Sequence, residues 1–272
     1  MISLKPAGTL YYNDSTVDMN GALVQVTSAS ISRQRNVPTL NSYYLPFLDD
    51  HGTATSPIKL GDGTYTFNGE ITFELTNGTV NQLFKSSLFS RSSWFSVTFF
   101  DGERRCGISN CVWSNLTISC ASGGAATMSI SYMSNNGYQD RLLVDSTSGD
   151  FSYNDNDLLI PYWKCGHDDF LDFSINFSRN VSPVFLNNDL VVPSYLRPGL
   201  IEVSMNATTL KYIGSWSNTI NVKIGESHGI TLLKAILQTT QYNMSSMSDT
   251  GAKTYAWNSI AETARGQLFS IY

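Results

Sequence analysis

Phe170-Leu171-Asp172-Phe173-Ser174-Ile175-Asn176-Phe177-Ser178-Arg179 alternates apolar and polar side chains, then runs into Val181, Pro183, Pro193, Pro198 and Gly199. A period of two is the mark of a strand with one buried face. Nearer the N-terminus, Leu23-Val24-Gln25-Val26 leads into Ser28, Ser30, Ile31, Ser32 and Arg33, followed by Val37, Pro38 and Pro46. Both stretches read as a strand carrying Ser-Ile-Ser-Arg or Asn-Phe-Ser-Arg, with a Val/Pro exit shortly after. The likeness predicts one β-module used twice.

The order of later segments agrees. Tyr65–Leu75 follows Gly63 as Leu200–Thr208 follows Gly199, and Phe95–Gly102 is matched by Thr219–Gly225. Ile108–Trp113 has its counterpart in Ile230–Thr240. Asn115-Leu116-Thr117 precedes Gly123 at the spacing by which Asn243-Met244-Ser245 precedes Gly251. Beyond these glycines, Met128–Met133 and Tyr255–Ile260 are comparable β-like runs. A repeat of this kind reads as an internal duplication. The polar, Asn/Asp/Gly-rich stretch 134–160 is the natural junction. The expected fold is mainly β: two tandem β-sandwich or barrel modules with long β-hairpins, residues 1–150 and 151–272, and a short flanking helix in at least the first.

Local signals fill in the first module. Residues 1–20 read as an arm or edge strand, and 36–63, with Pro38, Pro46 and Pro57, as a long loop. Asn68-Gly69 suits a two-residue hairpin turn between Thr64–Phe67 and Ile71–Leu75, or a bulge in one long strand. Val80, Leu83, Phe84 and Leu88 fall on one face of a helix over Thr79–Arg91, capped by Thr79 or Asn77. Trp94–Phe100 and Ile108–Cys120 read as strands, and Ser122-Gly123-Gly124-Ala125 as a turn into Thr127–Met133.

The 272 residues carry a net charge of −5, and only 14% of them are charged against 42% hydrophobic. That balance argues against a phosphate-gripping surface, and the sparse charge suits a protein covered by neighbours in an assembly. Met1-Ile2-Ser3-Leu4-Lys5-Pro6 lacks the apolar core of a signal peptide, and no run is long enough for a membrane span, so no membrane anchor is expected. Cys106, Cys111, Cys120 and Cys165 match no zinc spacing and read as free thiols.

No phosphate loop, His-Glu-x-x-His or Gly-x-Ser-x-Gly elbow is present. Cys165-Gly166-His167-Asp168-Asp169 gathers metal-capable groups, but its first two ligands are too close in sequence for a tetrahedral site, and a polar turn is the ordinary reading. Asp49-Asp50 and Asp168-Asp169 are adjacent carboxylates, unlike the facing pair of a glycosidase. Trp94, Trp113, Trp163, Trp216 and Trp257 could stack on sugars, although buried aromatics in β-layers account for them as well. The chain therefore reads as a non-enzyme with no cofactor, no metal and no catalytic residues.

The repeated strands at 30–33 and 176–179, their Val/Pro exits, the Gly-led strands after Gly63 and Gly199 and the hairpins around Gly123 and Gly251 resemble the tail tube proteins of long-tailed bacteriophages, including those with two tube-type domains in tandem. The resemblance covers nearly the whole chain as a pattern. It implies a structural virion protein, made in the host cytoplasm, whose hairpins join those of neighbouring modules to line a tube. Rings of six modules, here three chains, would stack into a conduit for double-stranded DNA. The partners implied are further copies of the chain and the neighbouring tail terminator, tape measure and baseplate proteins. Acidic side chains lining the bore would repel DNA in passage; Asp62, Glu70, Glu74 and Glu202 are the candidates, and Arg33 and Arg179 are candidates for contacts between modules. The alternatives are a distal-tail or baseplate hub protein, a β-sandwich carbohydrate- or receptor-binding protein, and a β-sandwich hydrolase.

Overall fold

The computed structural model describes residues 7–14, 17–18, 22–36, 39–40, 58–59, 64–85, 87–90, 94–100, 105–135, 143–145, 158–166, 170–186, 192–209, 219–243, 252–259 and 268–272. The fold is mainly β, with one α-helix among the described residues. The first part of the chain supplies β1 (Ala7–Asp14), β2 (Val17–Asp18), β3 (Ala22–Asn36), β4 (Thr39–Leu40), β5 (Ile58–Lys59), β6 (Thr64–Glu74), helix α1 (Asn77–Lys85), β7 (Trp94–Phe100), β8 (Arg105–Cys120), β9 (Ala126–Ser134) and β10 (Leu143–Asp145). Then follow β11 (Cys165–Gly166), β12 (Phe170–Ser178), β13 (Val181–Val184), β14 (Tyr195–Pro198), β15 (Glu202–Thr209), β16 (Ile220–Ile224), β17 (His228–Leu232), β18 (Ala235–Asn243), β19 (Ala252–Ser259) and β20 (Phe269–Ile271).

β8 is the hub. Its first half pairs with β7 through Val97↔Ile108 to Phe100↔Arg105, and its second half pairs on the opposite edge with β9, from Cys111↔Ser134 to Cys120↔Ala126. The path β8-β7-β1-β3-β6-β9 thereby returns to β8 and closes a barrel. Beyond the point where β7 leaves, the vacated edge takes β12, from Ser178↔Asn115 to Phe173↔Cys120. The sheet then continues through β15, β19 and β18. This wing packs on a smaller sheet, β11-β16-β17-β20, giving a sandwich. All the pairings are antiparallel.

Alternation decides which side chains go inward. In β9, Ala126, Met128, Ile130, Tyr132 and Ser134 are buried while the residues between them are half-exposed. One apolar cluster runs from Val26, Phe73 and Trp113 of the barrel through Phe177 and Met205 to Ile220, Val222 and Ile224 in the small sheet and Trp257 in the wing. Phe89, Phe177 and Phe269 meet edge-to-face, with the Phe177 and Phe269 centroids 4.8 Å apart. Helix α1 closes one end through Val80 and Leu83. Its cap is Thr76, and not Thr79 or Asn77 as expected, because the Thr76 hydroxyl accepts from the Thr79 amide at 3.1 Å.

Several other expectations need correcting. The N-terminal segment is no edge: β1 lies between β3 and β7, because Ala7–Leu10 pairs on both sides. Asn68-Gly69 makes no turn; β6 runs straight through it. A Cβ on Gly69 would lie 2.4 Å from the Tyr132 ring, so this glycine is there to admit the aromatic side chain opposite. The helix starts two positions earlier than its apolar face suggested and stops at Lys85, with a 3-10 turn at Ser87–Phe89. Ile230–Thr240 is two strands, β17 and β18, divided at Lys234. The expected division at residues 150 and 151 and most of the 36–63 loop lie outside the described residues.

Two four-strand sets in the large sheet, β3-β6-β9-β8 and β12-β15-β19-β18, share a strand order, and their irregularities coincide. The β3–β6 register shifts at Val26/Ser28, and the β12–β15 register at Phe170/Asp172. The β8–β9 hairpin shifts at Trp113/Asn115, and the β18–β19 hairpin at Leu237/Thr239. Asn110 (φ 53°) and Lys234 (φ 52°), the non-glycine residues with positive φ among those described, sit just before Cys111 and Ala235, which face Ser134 and Ser259. Backbone kinks of this kind are costly and do not coincide by composition.

Candidate functional site

The strands β3-β6-β9-β8-β12-β15-β19-β18 form one continuous sheet, and its face away from the core is largely polar. Period-two alternation puts Ser30, Asn68, Thr72, Ser129, Ser131, Thr117, Ser119, Ser174, Asn176, Ser204 and Asn206 on that face. The hydroxyls bond across strands. Thr72 and Ser129 lie 2.7 Å apart, Ser119 and Thr127 2.9 Å, and the Thr117 hydroxyl donates to Asn176 Oδ1 at 3.0 Å. The last of these bonds crosses the joint between β8 and β12.

The charges on this face are acidic. Glu70 and Glu74 stand on β6, Asp172 on β12 and Glu202 on β15, and along the described stretches that pair within this sheet no Lys or Arg takes a face position, Arg105 lying on the other half of β8, which pairs with β7. Glu70 is exposed and its Oε1 accepts a hydrogen bond from the Ser129 hydroxyl at 3.0 Å. Glu202 is exposed as well, and Glu74 is half-buried. Of the four acidic candidates, the structure brings Glu70, Glu74 and Glu202 onto one sheet face; Asp62 lies outside the described residues. Asp172 is absent from the expected set, although plain alternation with Ser174 and Asn176 puts it on the polar face; the break in register lies on its N-terminal side, toward Phe170.

The arginine candidates differ sharply. Arg179 is buried, 4% exposed, at the joint between β12 and β8. Its guanidinium carbon lies 3.8 Å from the centre of the Trp113 ring, Nε donates to the Trp113 carbonyl at 2.7 Å, and its own amide donates to the Ser114 carbonyl at 2.9 Å. A planar cation over an indole, with its donors on carbonyls, suits arginine and not lysine. Arg33 is exposed and rests 4.1 Å from the centre of the Tyr65 ring on the neighbouring strand β6.

The counterpart of Arg179 is not Arg33. With the register shifts aligned, Arg35 takes the Arg179 position, and Arg35-Asn36-Val37 is answered by Arg179-Asn180-Val181. That identical triplet is the signal available in the sequence. The Asn115 and Asn243 echo is likewise out of step, because Asn115 faces Ser131 just past the irregularity while Asn243 faces Ala252 at the strand end.

The remaining candidates are scattered or lie outside the described residues. His167, Asp168 and Asp169 lie outside the described residues, and among the described residues no group of three metal-capable side chains forms. Burial pushes the Cys111 thiol up from its ordinary value. Cys120 is held protonated by its hydrogen bond to Cys165, and Cys165 is lowered as the acceptor of that bond and by the Gly225 amide. Trp113 and Trp257 are buried in the core, whereas Trp163 is 71% exposed beside Tyr162. No described helix is long and apolar enough to cross a membrane. No family model and no curated protein matches the chain.

Proposed function

We propose that the chain is a structural subunit that assembles with copies of itself into stacked rings: the tail tube of a long-tailed bacteriophage, the conduit through which double-stranded DNA is delivered. The observation that carries this reading is the continuous sheet of two equivalent four-strand sets, joined edge to edge, with one polar face whose charges are acidic. An internal duplication accounts for the coincident irregularities. A chain that already joins two copies of one unit is built for rotational assembly, and three such chains would make a ring of six units.

The chemistry of the polar face suits a bore. Several of its hydroxyls, those of Thr72, Thr117, Ser119 and Ser129, are engaged in cross-strand bonds. Glu70, Glu74, Asp172 and Glu202 repel phosphate, so a duplex slides past without counterion-releasing contacts. The setting is the virion, with tail terminator, tape measure and baseplate proteins as neighbours.

Negative-stain microscopy of the purified protein tests the reading. Tubes or stacked rings with an open bore support it. Single rings that never stack favour the distal-tail role, and monomers at every concentration sink both. Exposed Trp163 and Tyr162 favour a second reading, a carbohydrate- or receptor-binding β-protein; Trp163→Ala would then abolish binding to host surface glycans while leaving assembly unchanged.

A further inference from the structure

Inside the chain, β8 and β12 already show how one four-strand set docks on the next. Residues Asn115 to Cys120 of β8 pair antiparallel with Ser178 to Phe173 of β12. The coincident register shifts make β18 the counterpart of β8 and β3 the counterpart of β12. The same two edges recur at the outer ends of the sheet. Among the described residues, β18 pairs with β19 alone, and beyond Gln25 no strand lies against β3 on the side away from β6.

The side chains at these outer ends look like halves of the internal joint with the other half removed. Val112 and Trp113 in β8 are 1% and 0% exposed, while their counterparts Ile236 and Leu237 in β18 are 48% and 43% exposed. Phe173, Ile175 and Phe177 in β12 are buried, whereas Ala29 is exposed and Ile31 half-buried at the matching positions of β3. The paired strands β13 and β14, whose Val181 and Leu196 cover Val112, follow β12 in the chain as the pair β4 and β5 follows β3. Apolar residues on an open edge invite a strand, and native proteins leave such edges bare only where a partner covers them.

We infer that the partner is a second copy of this chain, with β18 of one copy pairing antiparallel to β3 of the next in the register Gln34↔Thr239, Ser32↔Gln241 and Ser30↔Asn243. This register is the internal one carried over: Ser178↔Asn115, Asn176↔Thr117 and Ser174↔Ser119 are its originals. Ser32 facing Gln241 keeps a hydrogen-bonding pair where Thr117 donates to Asn176. The contact is head to tail, so each copy still presents one edge of each kind, and repetition closes a ring or extends a filament. It rests on the self-assembly in the function proposed above and not on the virion setting.

Crosslinking between copies tests it. Full-length Ser32→Cys and Gln241→Cys chains are prepared separately, mixed, allowed to assemble and treated with a short bismaleimide. A covalent dimer is expected in the mixture and in neither variant alone, with less product when Gln34→Cys replaces Ser32→Cys. Thr239→Lys/Gln241→Lys should abolish assembly in sedimentation while leaving the thermal midpoint unchanged, because both positions are exposed. Rings or tubes that form without the Ser32–Gln241 crosslink overturn the pairing and leave self-assembly standing. A protein that stays monomeric overturns both.

Discussion

The Arg179 guanidinium lies flat against Trp113, 3.8 Å from the ring centre, and holds the Trp113 carbonyl at 2.7 Å through Nε. The arginine follows β12 and the tryptophan belongs to β8, so this contact fastens the strand-to-strand joint from the side. A desolvated cation–π contact and hydrogen bonds from a charged donor together are worth about 3 kcal/mol. Arg179→Ala should therefore lower stability by about that amount in urea denaturation followed by tryptophan fluorescence, since it also bares the carbonyl. Arg179→Lys should lose roughly half as much, keeping charge but not the planar stack. A loss below about 0.5 kcal/mol for Arg179→Ala would mean the contact is incidental.

Gly69 and Gly124 offer a matched pair of substitutions. A Cβ at Gly69 meets Tyr132 at 2.4 Å and the Ser30 carbonyl at 2.5 Å, while at Gly124 its nearest neighbour is the Ala121 carbonyl at 3.4 Å. Gly69→Ala should cost about 1–3 kcal/mol through overpacking. Gly124→Ala should stay within about 0.5 kcal/mol. Thermal unfolding of the two variants side by side gives the answer, and equal midpoints would refute the role given to Tyr132.

Alkaline pH should weaken the fold through its buried thiols. The Cys111 thiol is raised by burial from an ordinary value of 9.0, so the folded chain keeps a proton that the unfolded chain releases. Stability is intact below that value and falls as pH rises above it, by at most about 1.4 kcal/mol per pH unit for each thiol. Urea midpoints at about pH 8 and about pH 10 should differ less in Cys111→Val than in the unaltered chain. Parallel shifts in the two proteins would count against this assignment.

Thr76 caps α1, and the helix carries no acidic residue in its first turn to substitute for it. Thr76→Ala should cost about 1 kcal/mol, and Thr76→Ser, which keeps a hydroxyl to accept from the Thr79 amide and donate to the Thr79 hydroxyl, should recover most of it. Hydrogen exchange of the Thr79 amide reports the loss directly.

The acidic face makes a prediction about DNA. Assemblies of the unaltered chain should elute free of added duplex at physiological salt. Those carrying Glu70→Lys and Glu202→Lys should retain it, with retention falling steeply as salt rises. Equal release by both would mean this face does not line a bore.

Much of the fold is legible from alternation alone. Trp94–Phe100 is a strand to the residue, and β6, β8, β9 and β12 lie within a few residues of the alternating runs that announce them. Register is harder, for a physical reason. A slip of two residues along a strand keeps every side chain on its own face, so hydrophobic patterning cannot detect it. For that reason Arg33 resembles Arg179 in pattern, while Arg35 holds the equivalent place in the ladder. What fixes the register is the position of bulges and positive-φ residues, and Asn110 and Lys234 share no side-chain chemistry that would announce them. The polar face is legible as composition and not as a surface, because a Ser/Thr/Asn strand looks the same whether it faces solvent, a neighbour or a bore.

The double use of β8 also bears on how the chain comes into being. Asn115 to Cys120 leave the ribosome well before Phe173 to Ser178, and until the later strand arrives that edge has nothing to hold. Barrel closure by β9 does not shield it, since β9 lies along the other side. During synthesis a nascent chain therefore carries a sticky edge matched to a strand of its own kind, and on a crowded polysome the nearest such strand belongs to a sister chain. Swapped pairing between nascent sisters is the hazard that this architecture accepts in order to join its two halves through one strand.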